Sequence, residues 1–242
     1  MTFAPRAILF DLDETILTFG RRQDQLLAVA ADFVSPDGTL TAEALASAVD
    51  GHLTAFWSDK ARVDAWRARA GEARYPAVSE AFAELAASGA RALTPDAAHR
   101  FADAFHAMRV GQIKPFPGAV EALDAIRASG VRMALITNGP SDIQRAKIDR
   151  FDLARRFDHV QVEGECGFGK PDPRAYDHAL TALGAQAREA WIVGDNLEWE
   201  VSAPQRLGIH AIWCDAYEVG LPADGSVKPD RIIRSLAELA PE

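Results

Sequence analysis

Short apolar runs recur along the chain, and each stops at a polar or glycine-containing turn: residues 6–10 end against Asp11, and residues 131–136, 190–193 and 209–213 behave alike. Uninterrupted runs of this length, separated by stretches of helical periodicity, are the pattern of strands buried on both faces and joined through βαβ units. Residues 159–162 read as a further strand and residues 231–233 as an edge. The helix signals fall between them. Residues 117–128 end before Gly130, Ser141 can cap a helix reaching about Arg150, and Asp172 with Pro173 gives an N-cap and first-position proline to a helix ending at Leu183. A last helix is expected over residues 198–207, bent at Pro204. The pattern predicts an α/β fold, an open Rossmann-like parallel sheet with helices on both faces.

Residues 19–114 break this rhythm. They are rich in Ala, Leu, Phe, Trp and Arg at helical spacing and offer no convincing strand. Phe33 and Val34, then Leu53, Phe56 and Trp57, suggest amphipathic faces; Ser35-Pro36-Asp37-Gly38 is a turn, and Thr94-Pro95-Asp96 opens the last helix. The reading is an all-helical insert, residues 19–114, in a core made of residues 1–18 and 115–242, with Lys114-Pro115-Phe116-Pro117 as the returning hinge. Residues 60–74 hold five basic against two acidic side chains, a pattern that suits either attraction of an anionic substrate or a solvated helix face.

At 242 residues, 48% hydrophobic and 25% charged, the make-up is that of an ordinary globular chain. A formal net charge of -9 argues against a general nucleic-acid or anionic-membrane surface. Only Cys166 and Cys214 occur, without zinc or disulfide spacing, and the six histidines show no metal-binding pattern. The first residues reach the acidic motif before a signal-peptide apolar region forms, and no apolar run approaches the ~20 residues of a membrane helix, so a cytoplasmic location is expected.

In an open parallel sheet, ligands bind beyond the carboxyl ends of the strands. Four segments fall at such ends: DLDET (11–15), LITNG (135–139), GKPDP (169–173) and VGDNLEWE (193–200). Together they supply two carboxylates two residues apart, a hydroxyl and backbone N–H groups near a helix start, an ammonium and further carboxylates, which are the parts phosphoryl transfer needs. One rival motif fails: residues 164–170, GECGFGK, satisfy a phosphate-binding G-x-x-x-x-G-K, but Pro171 supplies neither the metal-binding hydroxyl nor a backbone N–H.

In this order the four segments resemble the signature motifs of the haloacid dehalogenase-like superfamily, most of whose members are Mg²⁺-dependent phosphohydrolases. TNG and GKPDP look most like the branch containing 5′-nucleotidases, N-acylneuraminate-9-phosphatase and phosphoglycolate phosphatase. The resemblance implies that Asp11 attacks phosphorus to form an aspartyl-phosphate, and that Asp13 protonates the leaving oxygen and then activates water. It further implies that Leu12, Thr137, Asn138 and Lys170 bind the phosphate, and that the Asp11 carboxylate, the Asp13 backbone carbonyl and Asp195 hold Mg²⁺. Glu200 stands where the family usually has an aspartate reaching the metal through water, with Glu198 competing for that place. The insert is similar in position, length and helical type to the superfamily's first class of cap domain. The implied function is hydrolysis of a small phosphorylated metabolite, with no nucleic-acid polymer and no membrane as partner. A phosphomutase would keep the same residues. A dehalogenase is disfavoured because carbon–halogen displacement needs neither the proton donor nor the metal, and a non-catalytic phosphate-binding module because the set is intact.

Overall fold

The computed structural model describes residues 5–34, 38–66, 69–89 and 93–241, so the turn expected at residues 35–38 lies mostly outside them. The chain divides into two compact units, Met1–Thr18 with Lys114–Glu242, and Phe19–Ile113.

The first unit holds eight strands among its described residues: β1 (Ala7–Phe10), β2 (Leu17–Thr18), β3 (Lys114–Pro115), β4 (Arg132–Thr137), β5 (His159–Val162), β6 (Ala190–Gly194), β7 (His210–Cys214) and β8 (Arg231–Ile233). Six form one parallel sheet in the order β5-β4-β1-β6-β7-β8. Every residue of β1 is buried, as a central strand covered on both faces must be. The register decides where the chemistry falls. Phe10 is level with Leu135 on one side and Val193 on the other, so Asp11, Thr137 and Asp195 emerge within two residues of one another at the carboxyl edge. The sheet grows from β1 through β4 to β5 on one side, and the chain then crosses from β5 to β6 on the other side of β1, which makes this edge the topological switch point where open sheets take their ligands.

β2 and β3 pair antiparallel as a two-stranded ribbon that sequence periodicity did not reveal; two residues are too few to show alternation. Lys114 therefore belongs to a strand of the first unit rather than to the insert.

The helices of the second unit are α1 (Arg22–Ala30), α2 (Ala42–Ser58), α3 (Lys60–Trp66), α4 (Ala70–Ala87) and α5 (Pro95–Gln112). Thr41 and Thr94 cap α2 and α5 by accepting from Ala44 N (3.2 Å) and Ala97 N (3.1 Å). Their apolar stripes, including Leu26, Val49, Phe56, Phe82 and Phe101, close one core, with Phe33, Phe82 and Phe101 in mutual edge-to-face contact. Phe33 itself ends a short 3-10 turn after α1. The basic stretch is occupied locally: Arg62 meets Glu80 at 2.9 Å, Arg69 meets Glu72 at 3.7 Å and Arg74 meets Asp103 at 3.1 Å. Those arginines serve the unit's own surface.

The remaining helices belong to the first unit: α6 (Ala119–Ala128), α7 (Ser141–Arg150), α8 (Glu163–Cys166), α9 (Pro173–Leu183) and α10 (Ala203–Arg206). In α9, Asp172 accepts from Arg174 N at 2.9 Å, Pro173 opens the first turn, and Gly184 closes the last with φ 61°, a left-handed cap that glycine takes without strain. Its buried Tyr176, Ala179, Leu180 and Leu183, at helical spacing, pack against Leu9, Ala134, Ile136 and Ile192. The helix expected over residues 198–207 differs in kind. A π-helical turn, Leu197–Ser202, precedes α10, and Pro204 sits in the first turn of α10, where its missing N–H costs nothing. The Asn196 side chain drives the wide turn by accepting from both Glu198 N and Trp199 N at 3.0 Å. Among the described residues, no helix is long and apolar enough to cross a membrane.

Candidate active site

β1 ends on Asp11, whose N–H continues the ladder by donating to Val193 O at 3.0 Å. The chain then turns tightly, with Ile16 N and Leu17 N both donating to Leu12 O and Glu14 at φ 59°, so Asp11 and Asp13 stay side by side at the sheet edge. Leu12 between them is wholly buried, which leaves its backbone as the part available to a ligand. Tyr217, from the segment after β7, pins the turn by contacting the Thr18 hydroxyl and donating to Glu14 Oε2 at 3.0 Å.

Lys170 is 1% exposed, and its ammonium stands 2.6 Å from Asp11 Oδ1 and 2.7 Å from Glu200 Oε1. Asn138 explains how a lysine from a distant loop is held there. Its side chain accepts from Lys170 N at 2.9 Å and donates to Lys170 O at 2.7 Å, pairing with both backbone groups as a strand neighbour would. The side chain of Asn138 is thus spent on placing Lys170, and only its backbone remains to meet a phosphate. The next N–H, that of Gly139, donates to Glu163 Oε2 at 2.9 Å.

Glu200 is turned inward by the π-helical turn and is 1% exposed; its Oε2 accepts from Asn196 N at 2.9 Å. Glu198, its rival in the sequence, lies on the surface against Arg206 at 2.7 Å. Gly194 makes room for Glu200: a Cβ there would lie 2.6 Å from Glu200 Cδ and closer still to Cγ. Gly194→Ala should therefore lower stability by about 1–3 kcal/mol as an overpacked site does, measured as a shift of the urea midpoint at constant m-value.

The electrostatics follow from burial. Burial pushes the Asp11 carboxyl above its usual range, with Lys170 opposing and Asp13 adding to the rise. Asp195 is raised well above its usual range, first by burial and then by the charges of Asp11 and Glu200. Glu200 is pushed up to about 7 by burial, against the pull of Lys170. For Lys170, burial favours the neutral amine, yet Asp11 and Glu200 outweigh it and hold the ammonium charged.

Two groups that sequence reasoning missed join this set. Lys147 Nζ contacts Asp13 Oδ1 at 2.7 Å and Oδ2 at 2.6 Å, while Gln144 Nε2 donates to Asp13 Oδ2 at 3.0 Å and also to the Thr137 hydroxyl. Both project from α7 three residues apart, buried at 7% and 2% exposure. The usable signal is that a helix starting directly after T-N-G must turn one face to the same edge. Trp213, also missed, donates from Nε1 to Asp195 O at 2.7 Å and fixes the loop that carries this carboxylate.

Whether a divalent cation fits can be judged from charge and donor type. When ionised, Asp11, Asp13, Asp195 and Glu200 bring four negative charges against the two ammonium groups of Lys147 and Lys170, and a divalent cation would offset the excess that, with burial, raises the buried carboxyls. All the donors are hard oxygens, which suits Mg²⁺. Among the described residues, no three His, Cys, Asp or Glu side chains are grouped as a metal cage, and Glu200 faces Lys170. Mg²⁺ keeps several waters and takes one or two carboxylates from a protein, so it needs no such cage.

One solved structure, that of the HAD-hydrolase YfnB from Bacillus subtilis, superposes on the chain with a TM-score of 0.71 at 19% identity over 97% of this chain and 96% of its own, a likeness of fold. The phosphoserine phosphatase of Thermus thermophilus is 37% identical over 194 residues, 78% of this chain and 74% of that protein. The glyceraldehyde 3-phosphate phosphatase of Pyrococcus abyssi is 32% identical over 110 residues; the match spans 46% of each chain, about half the length of that relative. The model of the haloacid dehalogenase-like hydrolase family matches residues 5–208, which include every motif that meets at the sheet edge, and the chain belongs to that family.

Proposed function

We propose that this hydrolase cleaves a small-molecule phosphomonoester through an aspartyl-phosphate on Asp11, with Mg²⁺ as cofactor and phosphorylated metabolites of the cytoplasm as substrates. The observation that carries the reading is the pairing of Lys170 with Asp11 at 2.6 Å at the edge where Asp13, Thr137 and Asp195 also emerge. The phosphatase names of relatives support it.

In the proposed reaction an Asp11 oxygen bonds to phosphorus as the bond to the leaving oxygen breaks, and Asp13 gives its proton to that oxygen. In the second half Asp13, now a carboxylate, takes a proton from water as the water oxygen bonds to phosphorus. The phosphorus–Asp11 bond then breaks and returns its electron pair to the Asp11 carboxylate. Lys170 and the Thr137 hydroxyl hold phosphoryl oxygens, and Lys170 offsets the charge that gathers as two anions approach. Mg²⁺, held by the Asp11 carboxylate, the Asp13 carbonyl and Asp195, would supply the remaining positive charge. Glu200 is assigned to orienting Lys170 instead of to the metal, and the helical unit to the role of a cap that excludes bulk water. A phosphomutase would use the same groups; no observation favours it.

Screening a panel of phosphomonoesters headed by phosphoserine, with Mg²⁺ or with chelator, tests the proposal. Turnover is expected only with the metal. An independent reading comes from thermal melting. Saturating Mg²⁺ should raise Tm of the wild type, by about 2.7 kcal/mol of stabilisation at a hundredfold excess over Kd. Asp195→Asn should lose that response while melting no lower than the wild type in chelator, because it removes a charge that Asp11 and Glu200 repel. An undiminished Mg²⁺ response in Asp195→Asn would take Asp195 out of the metal site.

A further inference from the structure

α7 is built against the usual partition of polar and apolar side chains. Beside the buried Ile148 it also buries Gln144 and Lys147, while Ile143 is 43% exposed. A helix that turns a lysine and a glutamine inward and leaves an isoleucine in solvent has a local conflict that packing does not resolve, and such conflicts mark functional positions. Here both buried groups end on Asp13. The ammonium of Lys147 spans the two carboxylate oxygens at 2.7 and 2.6 Å, and the amide of Gln144 binds Oδ2 at 3.0 Å while its other contact is the Thr137 hydroxyl. The Asp13 side chain keeps 32% of its surface, so a lone pair stays open on the exposed side while the direction of the carboxylate is set from below.

We propose that Lys147, with Gln144 as its partner, is a positioning residue for Asp13, fixing the orientation from which Asp13 serves both proton transfers. The inference rests on the phosphatase reading above. It goes beyond that reading by assigning the work to α7, a segment outside the four motifs. Two steps depend on Asp13 and they can be separated by the leaving group. An alkoxide needs a proton to depart, whereas p-nitrophenolate leaves without one; hydrolysis of the phospho-Asp11 intermediate needs Asp13 as base whichever substrate formed it.

The test uses the full chain with Mg²⁺ and compares the wild type, Lys147→Met, Lys147→Gln, Asp13→Ala and the double variant Asp13→Ala/Lys147→Met. With an alkyl phosphate, Lys147→Met should lower kcat by ~10- to 100-fold with little change in KM, since the fraction of correctly aimed Asp13 falls. With p-nitrophenyl phosphate it should release about one nitrophenolate per active site in a rapid burst and then turn over slowly, as the second half-reaction becomes limiting. Lys147→Gln should fall in between. The double variant should be no slower than Asp13→Ala alone, because a residue acting through Asp13 has nothing left to position. Wild-type turnover in Lys147→Met, absence of the burst, or losses that multiply in the double variant would each overturn the inference. So would failure of both Lys147 variants to fold, which would make the ion pair structural. A wild-type protein inert towards every phosphomonoester would instead count against the phosphatase reading itself.

Discussion

Asp11→Asn is expected to lose about 10⁴-fold or more in turnover, the scale seen when a covalent nucleophile is removed. The change is isosteric, and the asparagine oxygen can still accept from Lys170, whose ammonium sits 2.6 Å from Asp11 Oδ1. What disappears is the anionic oxygen that bonds to phosphorus. Stability should move far less than activity, since Glu200 still faces Lys170 at 2.7 Å and one buried carboxylate that burial disfavours has been neutralised. Activity loss without unfolding is therefore the signature of a nucleophile, and the melting curve recorded beside the rate distinguishes it from a structural role. A second reading comes from acid-quenching the wild type during turnover: a peptide containing Asp11 should carry one phosphoryl group. Asp13→Ala should enrich that species with p-nitrophenyl phosphate, while Asp11→Asn should abolish it. Retained turnover in Asp11→Asn, or a phosphoryl group found elsewhere, would remove Asp11 from the centre of the mechanism.

The parts of this arrangement that the sequence discloses are those with strong local chemistry. β1 is legible because four apolar residues stop against an acid, and α9 because Asp172, Pro173 and Gly184 mark both its ends. Asp11, Thr137 and Asp195 follow from such strands, since strand order and register place strand ends together. Lys170 is harder: its approach depends on a loop whose backbone is captured by the Asn138 side chain, a contact between residues 32 positions apart that no periodicity encodes. For Glu200, spacing along a helix says how far a side chain travels and not which way an irregular turn aims it. The π-helical turn held by Asn196 aims it at Lys170. Lys147 and Gln144 were hidden for the opposite reason, since polar residues on a helix read as solvated until the partner that buries them is known. Local sequence thus names the groups proposed to react, while the groups that hold them in place become visible only when the long-range contacts are formed.

Lys170→Met should lower stability as strongly as truncating a core side chain, and the cause can be separated from the catalytic loss. The ammonium is 1% exposed between Asp11 and Glu200, and removing one member of such a buried set leaves unpaired charge, at a cost of about 3–5 kcal/mol. The damage has a pH dependence whose sign is fixed. In the wild type Glu200 is raised from 4.5 to about 7, so the folded state holds its proton more tightly than the unfolded chain. Its contribution to stability is present below about 4.5 and is lost as pH rises through about 7. Without Lys170 the proton affinity of Glu200 rises further, because the pull that opposed burial has gone. In chelator, the deficit of Lys170→Met relative to the wild type should therefore be smaller at acidic pH, where Glu200 is neutral, and larger on the alkaline side. Adding Glu200→Gln supplies that neutral state at every pH, so the double variant should regain stability over Lys170→Met and lose the excess pH dependence. It should not regain turnover, which remains ~10²- to 10³-fold down because no cation meets the phosphoryl oxygens. If the double variant recovers activity together with stability, Lys170 is a structural counter-ion alone; if stability fails to recover, Glu200 is not the group that Lys170 neutralises.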